Sequence, residues 1–301
     1  MQEMYAKYKG LLFKLAYQMT GSVSDAEDIV QDVFLKAYDV PPEKLTEPKA
    51  YLCKMVANRC RDLYKTARRQ REQYYGEWLP EPFHSADNDT MDAVLQGDLL
   101  SYGMLVLLER LTPSERVVFV MREALGFDYG EIAGLTDKSE TNCRKLYSRA
   151  SAKLGHGDED AVAATEPATE AWVRRFLDAL KAGNTERIVS MLGQDVVSIS
   201  DGGGKAAAAL EPIGTPEAVA RMLTGPLRLA ATVNGEVRFE LVLLNGQPSI
   251  VARSEEGVVH TAGMLQVENG ALRRLFFVRN PDKLRHVDEK REEDGYPEPS
   301  S

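Results

Sequence analysis

The feature that most constrains the fold is a run of helix signals between Leu111 and Leu154. It opens at 112–115 with Thr-Pro-Ser-Glu, where the threonine can accept a hydrogen bond from the third helical amide and the glutamate can reach back. The pattern predicts one helix that ends near Gly126, a short helix from Tyr129 to Leu135, and a last helix that is capped by Ser139 and runs to Lys153. Three helices in this order are typical of a helix-turn-helix domain.

The last of these helices is strongly basic. Residues 138–153 contain five Lys and Arg residues against one Glu, in a chain whose net charge is −9. A basic final helix suits the major groove of DNA, where Arg pairs well with guanine and Asn with adenine. We therefore expect DNA binding by the polar side chains of this helix, which are Asn142, Arg144, Lys145, Arg149 and Lys153.

The overall composition excludes several other classes of protein. A chain of 301 residues has room for two or three domains. We find no apolar run near the roughly 18 residues of a membrane span and no signal-peptide core, which predicts a cytoplasmic protein without membrane contact. Cys53, Cys60 and Cys143 lack CxxC spacing and are predicted to be reduced thiols. The histidines are scattered, so we expect no metal and no cofactor.

Composition also divides the chain into folded parts and linkers. Residues 73–96 combine prolines with a cluster of acidic residues, and 156–168 are acidic and small, so both are predicted to be linkers. The expected organisation is an all-α domain at 1–72, a linker at 73–96, a helix-turn-helix domain at 97–155, a linker at 156–168, an α+β domain at 169–284 and a disordered tail at 285–301.

The first all-α domain contains a helix with two different faces. Residues 24–27, Ser-Asp-Ala-Glu, match a capping box and predict its start. Apolar residues between Ile29 and Ala37 recur at helical spacing and predict a buried face. Asp28, Gln31 and Asp32 lie within a turn of one another on the other face, which in an isolated helix is most simply a solvated acidic surface.

A further helix of this domain, predicted from Ala50 to Arg71, is basic. It holds seven Lys and Arg residues against Asp62 alone, and Tyr51 and Tyr64 are interleaved with them. Cations next to aromatic side chains suit phosphate contacts combined with base stacking on unpaired DNA. Two basic helical units joined by a linker therefore indicate contacts with two separate DNA sites.

The third domain begins with helices and ends with strands. Asn245-Gly246 is a hairpin signal that follows an alternating strand. The other predicted elements are helices at 169–180 and 185–192, a short strand at 196–199, a turn at 201–205, a helix from Thr215 to Gly225-Pro226, and strands at 258–267 and 272–278. Helices followed by an antiparallel meander predict an α+β cone.

Two segments carry a resemblance to a known family. Residues 24–38, SDAEDIVQDVFLKAY, resemble region 2 of extracytoplasmic-function (ECF) sigma factors, and 111–154 resemble region 4 of the same family. The resemblance implies two all-α sigma domains that bind core RNA polymerase and promoter DNA. It assigns Asp28, Gln31 and Asp32 to docking on the clamp helices of the polymerase, in place of a merely solvated face.

The resemblance also implies DNA-binding roles. The −10 element, with one base flipped out of the non-template strand, would be bound by Lys54, Asn58, Arg61, Asp62 and Lys65. The loop from Val40 to Lys49 would form part of the base pocket. The −35 element would be read by the polar residues of the last helix of the helix-turn-helix, and which of them reach bases or phosphates stays open.

The third domain resembles the SnoaL-like domain. Three short segments, WLPEP at 78–82, DGGGK at 201–205 and NPDKL at 280–284, recur in the SigJ-like group of ECF sigma factors, which carry such a domain at the C-terminus. This implies that the domain packs on the sigma core and does the work of a separate anti-sigma factor. The residues assigned to that regulatory contact are Trp78, Pro80, Asp201, Gly203, Lys205, Asn280, Asp282 and Lys283.

Two alternative functions stay open at this point. The first is a ligand-responsive DNA-binding transcription factor that does not dock on polymerase. The second is a SnoaL-like cyclase or isomerase fused to a DNA-binding region, which needs a convergent acid and base. Residues 169–285 contain no Tyr, and Asp178, Asp195 and Asp201 fall at predicted helix and turn positions, beside a single His260. We therefore predict no catalytic residues, while a small-molecule pocket without turnover remains open.

Overall fold

The computed structural model describes residues 2–40, 47–84, 100–155, 166–230 and 237–288, with the backbone alone at 65–72 and 226–230. The chain forms two compact units. The N-terminal unit comprises 1–74 and 85–166, and the C-terminal unit comprises 75–84 and 167–301. Most of the predicted base-pocket loop, at 41–46, lies outside the described residues, as do parts of both predicted linkers and the chain after 288.

The N-terminal unit is all-α in its described residues. Helix α1 packs against α2 and α3, and α5 packs against α7, so that the parts resembling regions 2 and 4 lie in one compact unit. The helices are α1 (Gln2–Thr20), α2 (Val23–Tyr38), α3 (Pro48–Glu72), α4 (Tyr102–Leu108), α5 (Pro113–Glu123), α6 (Tyr129–Thr136) and α7 (Glu140–Lys153).

The predicted helix-turn-helix is confirmed, and local capping explains its boundaries. The Thr112 hydroxyl accepts a hydrogen bond from the Glu115 amide, and the Glu115 carboxylate accepts one from the Thr112 amide. Pro113 occupies the first helical position of α5, where its missing N–H has no cost. Ser139 caps α7 through the Asn142 amide at 3.2 Å. Each of these contacts spans three residues, which is why the sequence pattern predicts them.

The predicted start of α2 was wrong by two residues. Ser22, and not Ser24, caps this helix, and its hydroxyl accepts a hydrogen bond from the Asp25 amide at 3.2 Å. Gly21 has a φ of 70° and ends α1, so the chain turns immediately before Ser22 and Ser24 already lies inside the next helix.

The C-terminal unit is the predicted α+β domain. Two helices precede most of its strands, and the segment 75–84 belongs to the same unit. Its elements are β1 (Glu166–Pro167), α8 (Glu170–Lys181), α9 (Thr185–Ser190), β2 (Leu192–Asp201), β3 (Ile213–Gly214), α10 (Pro216–Ala230), β4 (Arg238–Leu244), β5 (Gln247–Arg253), β6 (Val259–Glu268), β7 (Ala271–Val278), a 3₁₀ turn (Pro281–Lys283) and α11 (Arg285–Asp288).

The sheet of this unit is mixed, where the sequence predicted an antiparallel meander. The strand order is β3-β2-β7-β6-β5-β4, with β1 beside β6. Strands β4 to β7 are antiparallel neighbours, but β2 pairs in parallel with β7. The predicted meander is thus confirmed for β4 to β7, and the parallel pairing of β2 was not predicted, because a parallel partner is reached by a long crossover that leaves no local turn signal.

Three other boundaries differ from the prediction. Helix α9 ends at Ser190 and β2 begins at Leu192, because Leu192 pairs with Leu272 in the sheet. Helix α10 continues through Gly225-Pro226, although proline removes one helical hydrogen bond, and its first half is anchored by buried side chains. The chain forms helix α11 at 285–288, where disorder was expected to begin, and Val287 in it is buried.

The core of the C-terminal unit lies between α8 and the sheet. Trp172, Phe176 and Leu180 recur at helical spacing on α8 and are buried against Ile250 and Leu275 of the sheet. The indole of Trp172 donates a hydrogen bond to the Gly270 carbonyl at 2.8 Å. This packing positions the strand ends that carry the charged contacts described below.

Candidate nucleic-acid interface and regulatory contact

The acidic face of α2 is open to solvent. Asp28 and Gln31 are exposed, while the apolar residues of α2 face α1 and α3. Asp32 lies on the same face, and the Arg59 guanidinium of α3 donates to its carboxylate at 3.2 Å. The structure therefore brings the three residues together on one surface, and only Asp32 shares its charge with a described cation.

A cleft that the sequence analysis missed lies beside this face. It has a volume of about 470 Å³, and its walls include Tyr5, Gln31 and Phe34. Leu35 and Tyr38 also line it and are 63% and 72% exposed, unusually high values for large apolar side chains. The sequence feature that could have revealed this cleft is that Leu35 and Tyr38 fall outside the buried helical stripe of α2.

The predicted −10 residues follow one side of α3. Lys54, Asn58, Arg61 and Asp62 are spaced by about one helical turn and are exposed or half-buried. The opposite side buries apolar residues, including Cys53 and Cys60, and the Lys65 side chain lies outside the described part of the chain. Burial raises the pKa of each of these two thiols to about 12, so they are neutral packing groups at physiological pH.

One −10 candidate is already engaged inside the N-terminal unit. The Lys54 ammonium lies 2.6 Å from a carboxylate oxygen of Asp137 and 3.4 Å from the Gly134 carbonyl. Asp137 ends α6 with a φ of 55°, two residues before the cap of α7. The helix that would meet the −10 element therefore packs beside the helix-turn-helix in this arrangement.

A buried arginine ties α5 to α1. Arg116 is fully buried, its Nε donates to the Gln18 carbonyl at 2.8 Å, and one terminal nitrogen donates to Glu109 at 2.6 Å. Removing this side chain would leave a buried carbonyl without its donor. The contact joins the part resembling region 2 to the part resembling region 4.

The predicted −35 residues form a polar surface on α7. Its other side buries Cys143, Leu146 and Ala150. Arg144 pairs with Glu140 at 2.6 Å and lies over the Tyr129 ring at 4.5 Å. The remaining candidates on this helix are exposed, namely Asn142, Lys145, Arg149 and Lys153.

Lys153 is bound to the cap of α5. Its ammonium lies 2.6 Å from the carboxylate of Glu115, whose side chain is 5% exposed. Burial acts to raise the pKa of Glu115, but hydrogen bonds from Lys153 and Thr112 outweigh it and hold this pKa below its usual 4.5. Lys153 thus stabilises the helix-turn-helix itself, in addition to any contact with DNA.

In the C-terminal unit, two of the predicted regulatory residues meet in a buried ion pair. The Lys283 ammonium lies 2.6 Å from the Asp201 carboxylate, and both side chains are buried. Lys283 also donates to the Leu79 carbonyl at 2.6 Å and lies over the Trp78 ring at 4.0 Å. The Leu79 amide donates to Asp201 at 2.8 Å. We call this Asp201–Lys283–Leu79 arrangement the clasp.

The clasp holds one part of a longer contact. The Phe83 carbonyl accepts from the Asn245 amide at 3.0 Å, and the Phe83 amide donates to the Asn245 side chain at 3.4 Å. His84 forms a bridge with Leu244 and lies 3.2 Å from the Val287 carbonyl. The segment 75–84, expected to be part of a linker, is therefore an integral part of the C-terminal unit.

The other residues that were predicted to be regulatory surround the clasp. Pro80 is buried, Lys205 pairs with Asp282, and the Asn280 side chain accepts from the Asp282 amide at 3.1 Å. Gly203 has a φ of 55°, as a turn residue. The neighbouring Gly202, which the sequence analysis did not single out, has no room for a side chain, since a Cβ there would lie 2.2 Å from the Ala206 carbonyl oxygen.

Comparisons with known proteins establish the family. The families Sigma-70 region 2 and Sigma-70, region 4 match residues 4–70 and 104–154. ECF RNA polymerase sigma factor SigJ of Mycobacterium tuberculosis (strain H37Rv) is 32% identical over 288 residues, which cover 91% of this chain and 89% of that protein. This chain belongs to the ECF sigma factor family.

Two further comparisons cover most of the chain. The crystal structure of the M. tuberculosis ECF sigma factor SigJ matches with a TM-score of 0.75 and 28% identity, covering 94% of this chain and 98% of that one. ECF RNA polymerase sigma factor SigG of the same species is 24% identical over 90% of this chain and 78% of that protein. The similarity to SigJ thus includes the C-terminal α+β domain and confirms the predicted fold class.

Membership of the ECF sigma factor family also confirms the prediction that the chain is not an enzyme, because sigma factors act in transcription initiation without catalysing a reaction. Two of the carboxylates considered earlier are engaged with cations, since Asp195 pairs with Arg273 and Asp201 with Lys283. Asp201 ends strand β2 and is buried, so its predicted turn position was wrong.

The described residues contain no group of three or more His, Cys, Asp or Glu side chains that could hold a metal ion. Among the same residues, no helix has both the length and the apolar character needed to cross a membrane.

Proposed function

We propose that this ECF sigma factor recognises promoters through two separate surfaces while docked on core RNA polymerase. The exposed Asp28, Gln31 and Asp32 face of α2 is the docking surface, with Leu35 and Tyr38 supplying apolar area beside it. The observation that carries the proposal is that α3 and α7 each place polar and basic side chains opposite a buried apolar face. That is the arrangement expected of helices that bind DNA.

The two helices have different tasks in this proposal. On α3, the melted −10 element is held by Lys54, Asn58, Arg61, Asp62 and Lys65. Binding of the flipped base there offsets the few kcal/mol lost when that base leaves the stack. On α7, the surface formed by Asn142, Arg144, Lys145, Arg149 and Lys153 reads the −35 element in the major groove. The partners are core RNA polymerase and promoter DNA, and a protein that works on both would act in the cytoplasm.

Binding both elements requires the N-terminal unit to open. The two promoter elements lie about 25 base pairs apart, which is roughly 80 Å of B-form DNA. Lys54 of α3 pairs with Asp137, two residues before the cap of α7, so α3 packs against the helix that immediately precedes α7. We infer that the compact N-terminal unit is a closed form, and that docking on the polymerase separates its two halves.

The C-terminal unit controls this opening in cis in our proposal. Residues 75–84 lie between α3 and α4 in the chain, yet they pack within the C-terminal unit through the clasp. Holding this segment limits how far the two DNA-binding parts can separate. A tethered domain acts at an effective concentration in the mM range, so a separate anti-sigma factor is not needed.

Co-purification with core RNA polymerase tests the docking surface. Asp28→Lys should weaken binding to the core enzyme and reduce run-off transcription, while its stability changes by less than about 0.5 kcal/mol. Glu211→Lys, which reverses an exposed charge in the C-terminal unit, is the matched control. Unchanged core affinity of Asp28→Lys would reject the assignment of the α2 face.

Run-off transcription with a clasp variant tests control in cis. Lys283→Ala removes the buried ammonium, and Arg174→Ala removes an exposed cation of the same unit that pairs with Glu170. We expect promoter output to change in Lys283→Ala and to stay at the wild-type level in Arg174→Ala, at equal core affinity. If both variants transcribe like the wild type, the clasp does not transmit control.

A further inference from the structure

The C-terminal unit contains a cavity that neither promoter recognition nor the clasp uses. Its volume is about 350 Å³, within the range of small-molecule sites. Its walls come from α8, α10 and the concave side of the sheet, and they are mainly apolar, including Phe176, Leu180, Met222, Phe239 and Phe277. Such walls favour the apolar body of a ligand and offer little to a sugar or a nucleotide.

One cation lines this apolar cavity. Arg279 follows β7, and its terminal nitrogen donates to the Ala207 carbonyl. Its Nε is buried and has no hydrogen-bond partner among the described residues. None of the carboxylates in those residues forms an ion pair with Arg279. Two other arginines of the sheet, Arg253 and Arg273, pair with glutamates.

The Arg279 side chain is half-buried, and its Nε has no hydrogen-bond partner among the described residues. Withdrawing a guanidinium partly from water without an anion is unfavourable, and this burial lowers the pKa of Arg279. A carboxylate is the natural complement, since it accepts two parallel hydrogen bonds from a guanidinium. Ser200 and Thr261, which also line the cavity, add hydroxyl groups that can orient such a head group.

We propose that this cavity is a binding site for an apolar carboxylic acid, with the carboxylate on Arg279 and the hydrocarbon body between α8, α10 and the sheet. The site goes beyond the proposed function and does not depend on it, because its occupancy is measured without polymerase or DNA. Arg279 is next to Asn280 and its amide donates to the Asp201 carbonyl at 2.7 Å, so the head group would lie one residue from the segment that carries Lys283. A ligand there is well placed to act on the clasp.

Calorimetric titration of the full chain with sodium decanoate tests the site, with 1-decanol as a probe of the same length that lacks the charge. Decanoate should bind at least about tenfold more tightly than decanol, because a charge-assisted hydrogen bond contributes to its affinity. Arg279→Gln should remove this preference by weakening decanoate about tenfold or more, while decanol binding is retained. Arg279→Lys should keep part of the preference.

Two other variants locate the site. Ala252→Leu fills the cavity from the wall of β5 and should abolish the binding of both probes. Arg221→Gln, which removes an exposed arginine of α10 outside the cavity, should bind both probes like the wild type. Retained decanol binding shows that Arg279→Gln has folded, and thermal melting checks the fold of Ala252→Leu.

The proposal is overturned by any of four results. These are equal affinities for decanoate and decanol in the wild type, an unchanged decanoate affinity in Arg279→Gln, unchanged binding in a folded Ala252→Leu variant, and no binding of either probe at millimolar concentration. None of these results bears on promoter recognition, so failure of this site and failure of the proposed function are distinguishable.

Discussion

Two ion pairs with the same 2.6 Å separation, one on α7 and one in the clasp, differ sharply in their exposure to solvent. On α7, Arg144 and Glu140 have side chains that are 60% and 52% exposed. In the clasp, Lys283 and Asp201 have side chains that are 7% and 0% exposed. Distance alone does not distinguish these pairs, but solvation does.

The difference in solvent exposure determines what each ion pair can do. An exposed pair contributes little to stability and exchanges partners easily, so Arg144 can leave Glu140 for the DNA contact proposed above. A buried pair is costly to break because the remaining charge has no water and no counterion. We therefore assign the charges of α7 to recognition and those of the clasp to holding one conformation, and four experiments test this contrast.

The largest effect is expected at the clasp. Lys283→Ala should lower the free energy of unfolding of the C-terminal unit by about 3–5 kcal/mol, since it leaves Asp201 buried without its partner. Lys205→Ala, in an exposed pair, should cost less than about 1 kcal/mol. Tryptophan fluorescence during urea unfolding measures this unit selectively, because both tryptophans, Trp78 and Trp172, belong to it. Equal losses in the two variants would contradict the contrast.

The next effect is on DNA binding and has a matched control. Arg144 and Arg174 each pair with a glutamate four residues earlier at 2.6 Å and are similarly exposed, on α7 and α8 respectively. Arg144→Ala should weaken binding to −35 DNA by about 1–3 kcal/mol and relax one base preference, as should Arg149→Ala. Arg174→Ala should leave DNA binding unchanged, and both pair variants should lose less than about 0.5 kcal/mol of stability.

Fluorescence anisotropy with cognate and scrambled −35 duplexes measures these affinities. Equal losses of affinity for the two duplexes would show that Arg144 and Arg149 contact phosphates and not bases. A loss for Arg174→Ala as large as that for Arg144→Ala would show that the effect does not come from the α7 surface.

A smaller, pH-dependent effect is expected at Lys153. Because the folded pKa of Glu115 lies below 4.5, its stabilising contribution is present at neutral pH and is lost as the pH falls below about 4.5. Lys153→Ala should cost about 0.5–1 kcal/mol at pH 7, and this difference from the wild type should shrink towards zero near pH 3. Thermal melting followed by circular dichroism measures it, with the last-turn lysine of α8, Lys181→Ala, as control. A difference independent of pH would exclude Glu115 as the partner.

The smallest effect is expected for the contact between α3 and α6. Asp137→Asn removes the charge that faces Lys54, and asparagine tolerates the left-handed backbone at this position. We expect affinity for single-stranded −10 DNA to rise by no more than about fivefold at low salt and by less at high salt. Asp39→Asn, at the C-cap of α2, serves as control. A decrease in affinity would contradict the closed form proposed here.

The sequence alone determined the starts of α5 and α7, the helix-turn-helix and the α+β class of the third domain. The Thr112–Glu115 and Ser139–Asn142 contacts each span three residues, so a short pattern contains both partners. Motif resemblance also selected Asp201 and Lys283, although it could not say that they touch. The assignments of individual DNA-binding residues stay predictions, because exposure of a cation on α7 is compatible with a base contact or a phosphate contact.

Only the tertiary structure decided which of the charged residues are buried and to which of the two compact units the segment 75–84 belongs. Lys283 meets Asp201 across 82 residues and Leu79 across 204 residues of sequence. Contacts at such separations depend on how the sheet closes, as does the parallel pairing of β2 with β7. Solvation of a charge is a property of everything packed around it, and a one-dimensional pattern holds only the neighbours along the chain.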